Sequence, residues 1–137
     1  MTDIPRDVGA ITMFIEDVQR SKSFYESVFD TQPIYEDENA VAFKFDNTVV
    51  NLLREPAAHE LIEPALVGRQ ESGARFQLTI GVDDCDSTCA ELASRGVTLI
   101  NGPMDREWGL RTAAFADPDG HIWEVAENIQ GGGGQGG

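Results

Sequence analysis

The sequence has no long apolar run, and its first residues do not resemble an export signal. No stretch of its 137 residues approaches the roughly 18 consecutive apolar residues that a membrane-spanning helix needs. Residues 1–7 lack the basic region and the following apolar region of a signal peptide. We therefore expect a cytoplasmic protein with no membrane partner.

Basic residues are also scarce, because 10 lysines and arginines stand against 24 aspartates and glutamates. The formal net charge of −14 should repel nucleic acid as well as anionic membranes, so nucleic acid is not an expected partner. An acidic surface tolerates or attracts a cationic ligand. A solvated acidic coat explains the same charge and is the simpler interpretation.

Cysteine and histidine occur only twice each. Cys85 and Cys89 lie four residues apart within a helical pattern, which favours buried or partly buried free thiols over a disulfide. Neither His59 nor His121 is close to them in the sequence, so a zinc site built on the cysteines is not favoured.

What the sequence does have is a strand–helix–strand–strand–strand order that occurs twice. The strands alternate apolar and polar residues, whereas the helices repeat apolar residues every three or four positions. An aspartate stands at the start of each helix, Asp17 in the first half and Asp84 in the second. The first half comprises strands 10–16, 32–35, 39–45 and 48–53 with helix 17–30, and the second comprises strands 75–82, 97–100, 110–116 and 121–126 with helix 84–95.

These patterns predict an α+β fold of two βαβββ modules that form a curved, half-barrel mixed sheet around a concave pocket. Residues 101–103 are expected to end the strand before them, and residues 104–109 to form a loop that carries Trp108. The predicted parts are an N-terminal extension (1–8), a first module (9–55), a linker (56–73) with a short helical turn near 61–67, a second module (74–129) and a flexible glycine-rich tail (130–137).

A sharp turn is predicted at residues 117–120, whose sequence is Asp-Pro-Asp-Gly. The proline presets its own φ, the aspartates can bond nearby N–H groups, and Gly120 can supply a positive φ. In the strand that follows, Glu124 shares a face with Ile122 and Ala126. A carboxylate there is either a surface charge or a group that points into a cavity.

The two halves can be matched through their helix-starting aspartates and through their last strands, which pairs Asn51 with Glu124. Each half then has one apolar row, which should pack under its helix, and one mixed row, which should face a shared concavity. The mixed rows are Thr12 and Phe14, Val49 and Asn51, Gln77 and Thr79, and Ile122 and Glu124.

Three segments resemble the vicinal oxygen chelate superfamily, also called the glyoxalase/bleomycin-resistance/dioxygenase fold: residues 14–25, 82–86 and 117–124. The resemblance implies that metal-using members would hold an ion at the positions of Ala10, Asn51, Gln77 and Glu124. Alanine has no donor atom and the two amides are weak neutral donors, so only Glu124 offers an anionic oxygen. We therefore expect no cofactor, with a weakly held divalent metal as the disfavoured alternative.

The family's metal-free members are dimers that bind drugs. The resemblance thus implies a homodimer that binds or sequesters a small aromatic or cationic compound, such as an antibiotic, without a metal. It remains open whether Phe14 and Trp108 pack into the core instead, and whether Arg111 pairs with a surface carboxylate. The candidate ligand-binding residues are Thr12, Phe14, Asn51, Gln77, Thr79, Trp108, Arg111 and Glu124.

An enzyme is the alternative hypothesis. Glu124 is then the candidate catalytic base of a glyoxalase-like lyase or isomerase, or of a dioxygenase-related enzyme with a weak divalent metal. A third hypothesis is a partner domain whose pocket is vestigial.

Overall fold

The computed structural model describes residues 2–130, and the chain divides between Arg69 and Gln70 into two units. Unit 1 precedes that boundary and unit 2 follows it. Within residues 2–130, no helix is both long enough and apolar enough to cross a membrane. The predicted glycine-rich tail lies outside the described residues, except for Gln130.

Unit 1 contains a single four-stranded sheet and two helices. In chain order its elements are β1 (Ala10–Ile15), α1 (Val18–Phe29), β2 (Pro33–Glu36), β3 (Ala40–Lys44), β4 (Val49–Arg54) and α2 (Glu55–Ile62). The strand order across the sheet is β1-β4-β3-β2. β1 and β4 are parallel, and the other neighbours are antiparallel.

Unit 2 repeats this arrangement after a short 3-10 turn at Gln70–Ser72. Its elements are β5 (Gln77–Gly81), α3 (Cys85–Ser94), β6 (Leu99–Asp105), β7 (Leu110–Ala116) and β8 (Ile122–Asn128). The strand order is β5-β8-β7-β6, with β5 parallel to β8 and the rest antiparallel. The two βαβββ modules of mixed sheet confirm the predicted α+β fold class.

Both long helices begin at the predicted aspartates. The Asp17 side chain accepts a hydrogen bond from the N–H of Arg20 at 3.1 Å, and the Asp84 side chain accepts one from the N–H of Ser87 at 3.0 Å. Each bond satisfies an N–H group that the first helical turn leaves without an intrahelical partner. The caps therefore start α1 and α3 directly after β1 and β5.

The apolar row of unit 1 packs under α1, as its alternation predicts. Tyr25 of α1 is fully buried, and its ring lies 5.9 Å from the ring of Phe43 on β3. Tyr25 is therefore a core residue of this unit. The buried strand residues on this side are Met13, Ile15, Val41, Phe43, Val50 and Leu52.

In unit 2, α3 packs against β7 and β8. Cys85 and Cys89 are buried free thiols on this helix, which confirms the prediction from their spacing. Glu127 of β8 reaches the start of α3, where its Oε1 accepts a hydrogen bond from the N–H of Cys85 at 2.9 Å. Burial raises the pKa of the Cys85 thiol from 9.0 to about 12, and it also raises the pKa of Cys89.

We expect both thiols to react slowly while the protein is folded. A thiol attacks as its thiolate. The raised pKa of Cys85 keeps its thiolate fraction very small at about pH 8. Ellman's reagent should therefore titrate both cysteines rapidly in urea and only slowly in native buffer, with Cys85→Ala assigning the two signals. Equal rates in both conditions would contradict the burial of these side chains.

The predicted linker, residues 56–73, contains all but the first residue of a helix that begins earlier in the chain than the sequence predicts. α2 spans Glu55–Ile62, whereas the expected helical turn lay near residues 61–67. Pro56 stands in the first turn of α2, where its missing N–H removes no intrahelical bond. This proline therefore marks the start of a helix rather than a break.

β6 continues through residues 101–103, where the sequence predicts that the strand ends. Its pairing with β7 shifts register on both sides of Asn101. Gly102 permits this path, because its φ is +83° and a Cβ there would lie 2.3 Å from the carbonyl oxygen of Thr112. The close approach extends β6 to Asp105, immediately before the turn that carries Trp108.

Candidate functional site

The two sides of the unit 2 sheet are distinct. Trp123 and Val125 are buried on the side that packs against α3, and the alternation of β8 directs Glu124 to the opposite side. Residues paired across neighbouring strands share a side. We call this side the Glu124 face; its members include Gln77, Thr79, Thr112, Ala114, Ile122 and Glu124.

Glu124 is half-buried and is fixed by Thr79, its partner on β5. The Thr79 hydroxyl donates a hydrogen bond to Oε1 of Glu124 at 2.9 Å. Among residues 2–130, nothing donates a hydrogen bond to the second oxygen, Oε2. Glu124 is therefore a positioned carboxylate with one oxygen free for a ligand. Gln77, also on this face, is exposed at the start of β5.

Thr12, Phe14 and Asn51 share one side of the unit 1 sheet. Thr12 is paired with Asn51, whose Nδ2 donates a long hydrogen bond of 3.4 Å to the Thr12 hydroxyl. Phe14 is half-buried and is paired with Leu53. These three side chains lie opposite the side that packs against α1. The structure thus groups them within unit 1 and groups Gln77, Thr79 and Glu124 within unit 2.

The residues at the implied ligand positions do not fit a firmly held metal ion. Ala10 presents only a methyl group, and Asn51, whose amide nitrogen donates to Thr12, has only a neutral amide oxygen to offer. Glu124 is the one acid of the four positions, and a divalent ion usually takes imidazole or carboxylate donors. Within residues 2–130, no three His, Cys, Asp or Glu side chains form a group that could hold a metal.

His121 belongs to the turn before β8 rather than to a ligand set. Its Nδ1 lies 2.8 Å from Oδ2 of Asp117, whose side chain is fully buried. The other oxygen of Asp117 accepts hydrogen bonds from the N–H groups of Asp119 and His121, at 3.0 and 2.9 Å. Gly120 has a φ of +90°, as the turn pattern predicts. The turn therefore fixes the point at which β8 begins and hence which side Glu124 faces.

Arg111 lies on the other side of the sheet from Glu124. It is paired with Glu127, the residue that contacts the start of α3. Its guanidinium forms ion pairs with Asp86 at 3.0 Å and with Asp105 at 2.9 Å, and these carboxylates raise the pKa of Arg111. The expectation that Arg111 lines the ligand site does not fit this placement, because strand alternation directs it towards α3. It matches the alternative of a pairing with acidic neighbours.

Trp108 is 62% exposed in the turn between β6 and β7. The guanidinium carbon of Arg106 lies 5.9 Å from the centre of its ring. Arg106 was not expected at the site, yet its Nε donates a hydrogen bond of 2.9 Å to the hydroxyl of Thr112, on the Glu124 face. The sequence signal that could have identified Arg106 was its position two residues before Trp108. The bulged path of β6 concealed which side it would face.

Unit 1 also has an open cleft of about 410 Å³ beside the start of α1. Several of its carboxylates have local structural roles. Asp17 caps α1, and Asp37 accepts hydrogen bonds from the N–H groups of Asn39 and Ala40. The cleft is lined by Glu16, Asp17, Val18, Gln19, Asp37, Glu38 and Arg54.

Two known bacterial proteins are similar to this chain over most of its length. The chain is 34% identical over 122 residues to the uncharacterized protein YraH of Bacillus subtilis (strain 168), covering 84% of this chain and 93% of YraH. It is 22% identical over 121 residues to the metallothiol transferase FosB of Lysinibacillus sphaericus (strain C3-41), covering 87% of this chain and 80% of FosB.

A crystal structure of a glyoxalase/bleomycin resistance protein/dioxygenase from Nocardioides has the same fold, with a TM-score of 0.83 at 22% identity. The match covers 99% of this chain and 93% of that one. The family model described as Glyoxalase/Bleomycin resistance protein/Dioxygenase superfamily matches residues 8–125, which include the first module, all of the second except the end of β8, and Glu124. The chain therefore belongs to the Glyoxalase/Bleomycin resistance protein/Dioxygenase superfamily, as its three resembling segments indicate.

Proposed function

We propose that this protein binds, and thereby sequesters, a small aromatic or cationic compound such as an antibiotic, without a metal ion. The observation that supports this most is the state of Glu124. It is held by Thr79 and has a free second oxygen, and the other implied ligand positions supply no imidazole or second carboxylate to complete an ion site. A lone carboxylate of this kind suits a cationic or hydrogen-bond-donating group of a ligand.

Two further features support a ligand of this class. Trp108 presents an exposed ring on which a planar compound could stack. The formal net charge of −14 favours the approach of a cation. The candidate residues that remain with the proposal are Thr12, Phe14, Asn51, Gln77, Thr79, Trp108 and Glu124. The family resemblance also implies a homodimer, which stays a prediction.

The relative FosB is named a metallothiol transferase. We do not propose a metal-dependent function for this chain, because the residues at the implied ligand positions are poor metal donors. Ala10 offers no donor atom, while Asn51 and Gln77 are neutral amides. An enzyme that uses Glu124 as a base without a metal remains the competing hypothesis, because the carboxylate is positioned and half-buried.

The test is a panel of planar compounds, each in a cationic and a neutral form, measured by thermal shift and then by calorimetry. We expect Glu124→Gln to weaken cationic members by about tenfold and neutral members by about twofold or less, because it removes the charge and keeps the shape. Glu91→Gln is the matched control, since it removes the same charge from an exposed position on α3. EDTA should leave every affinity unchanged.

Two results would contradict this proposal. Tight binding of Zn²⁺, Ni²⁺ or Mn²⁺ to the wild-type protein, with ligand binding lost in EDTA, would show that the site depends on a metal. A Glu124→Gln variant that keeps its affinity but loses turnover of a bound compound would show an enzyme with a catalytic glutamate instead.

A further inference from the structure

We propose that Arg106 is an anion-binding residue on the Glu124 face, so that the ligand carries a carboxylate-like group as well as a cationic one. This inference rests on the proposed binding function and narrows its ligand to a zwitterion with a planar body. We call the group formed by Arg106, Trp108 and Thr112 the Arg106 subsite.

The backbone of Arg106 is fixed by the turn, whereas its guanidinium is fixed only through Nε. Arg106 opens the turn, where its N–H donates to the carbonyl of Leu110 at 2.7 Å and its own carbonyl accepts from Gly109 at 3.1 Å. Its Nε donates to Thr112, which is 1% exposed and thus a fixed acceptor. The ring of Trp108 lies 5.9 Å from the guanidinium carbon. The terminal N–H groups of the guanidinium remain available to an oxyanion.

No carboxylate neutralises Arg106 within the described part of the chain, residues 2–130. Half-buried Arg54 also lacks a carboxylate partner in this part of the chain, so what distinguishes Arg106 is its place beside Trp108 and Thr112 on the Glu124 face. Arg111, on the same hairpin, has two carboxylate partners, and Arg95 has Glu91 at 3.0 Å. A half-buried guanidinium without a carboxylate partner suits an oxyanion from outside the chain, because its planar fork can bind two oxygens at once.

The sheet register places this cation close to Glu124 without pairing them. Thr112 is paired with Ala126, and Ala114 is paired with Glu124, so Thr112 and Glu124 are diagonal neighbours on antiparallel strands. Such neighbours lie about 7–8 Å apart. Ala114 and Ala126 lie between them and are both buried, so a ligand would contact the two charged side chains rather than the sheet between them. One planar molecule with opposite charges at its two ends can therefore meet both groups.

The experiment uses three related probes and calorimetry on the full chain. The probes are 4-(aminomethyl)benzoate, which carries both charges, 4-methylbenzoate, which is only an anion, and benzylammonium, which is only a cation. We expect Arg106→Gln to weaken the two carboxylates by about tenfold and to change benzylammonium by about twofold or less. Glu124→Gln should do the reverse, weakening the two ammonium compounds and sparing 4-methylbenzoate.

Two control variants distinguish the loss of carboxylate binding by Arg106 from a disruption of the turn that carries it. Arg95→Gln removes the same charge on the α3 side and should change all three affinities by about twofold or less. Arg106→Lys keeps the charge without the planar fork, so it should restore part of the lost carboxylate affinity. An Arg106→Gln variant that loses benzylammonium as strongly as the carboxylates would overturn the inference, because the residue would then be only structural.

The remaining outcomes distinguish the two proposals. If the zwitterion binds the wild-type protein and Arg106→Gln leaves its affinity unchanged, the inference fails and the binding function stands. If none of the three probes binds while the wider panel does, the zwitterion assignment fails alone. If neither the probes nor the panel bind, both proposals fail.

Discussion

Gly102→Ala should lower the free energy of unfolding by about 3 kcal/mol or more. The backbone at this position has a φ of +83°, which an L side chain rarely adopts. An added Cβ would also lie 2.3 Å from the carbonyl oxygen of Thr112 and 2.8 Å from the Cα of Ala113. Both atoms belong to the backbone of β7, so no side-chain rotation relieves the clash. Urea denaturation followed by circular dichroism measures the loss.

Gly96→Ala is the matched control for this prediction. Gly96 has a φ of +86°, but nothing lies within 4 Å of the position that its Cβ would take. The control therefore carries the strain of the left-handed backbone alone, about 1 kcal/mol. Similar losses in the two variants would show that β6 does not approach β7 closely. The path that brings Arg106 to Thr112 would then be wrong as well.

Asp117→Ala should destabilise the protein by about 3 kcal/mol, the second largest effect that we expect. The fully buried Asp117 side chain accepts two backbone N–H bonds, from Asp119 and His121, and contacts the His121 ring at 2.8 Å. Truncation would leave these N–H groups without their acceptor, and each unsatisfied buried group costs about 1–3 kcal/mol. Thermal and urea unfolding would measure the change.

Asp117→Asn keeps the oxygen that accepts both N–H groups, so it should lose clearly less stability than Asp117→Ala. His121→Ala isolates the ring contact, which should account for a minor share of the loss. If Asp117→Ala were as mild as Asp117→Asn, the two N–H bonds would not be what holds the turn. The start of β8 would then need another explanation.

Local signals in the sequence were sufficient for most of the fold. The aspartates Asp17 and Asp84 cap their helices through bonds to the next turn, and Gly120 takes the positive φ that its turn requires. Each of these features depends only on residues a few positions apart. The alternation of β8 likewise assigns Glu124 to the side opposite α3. The sequence placed Thr79 in a mixed row as well, but only the pairing of β5 with β8 sets it beside Glu124.

The parts that the sequence could not predict depend on distant backbone. β6 continues past residues 101–103 only because β7 leaves room for Gly102 and nothing larger. The same register decides that Arg111 reaches Asp86 near the start of α3, and that Arg106 reaches Thr112. α2 was missed for a different reason, since Pro56 is equally compatible with a break and with the first turn of a helix.

The turn at residues 117–120 has a consequence for how ligand preference could be altered by directed evolution. A one-residue insertion or deletion there would turn β8 over, exchanging the side chains that face α3 with those that face away. Randomised libraries should therefore keep residues 117–121 constant. Diversity belongs at residues 106–108, where the side chains of Arg106 and Trp108 can be exchanged while Gly109, with its φ of +86°, preserves the hairpin.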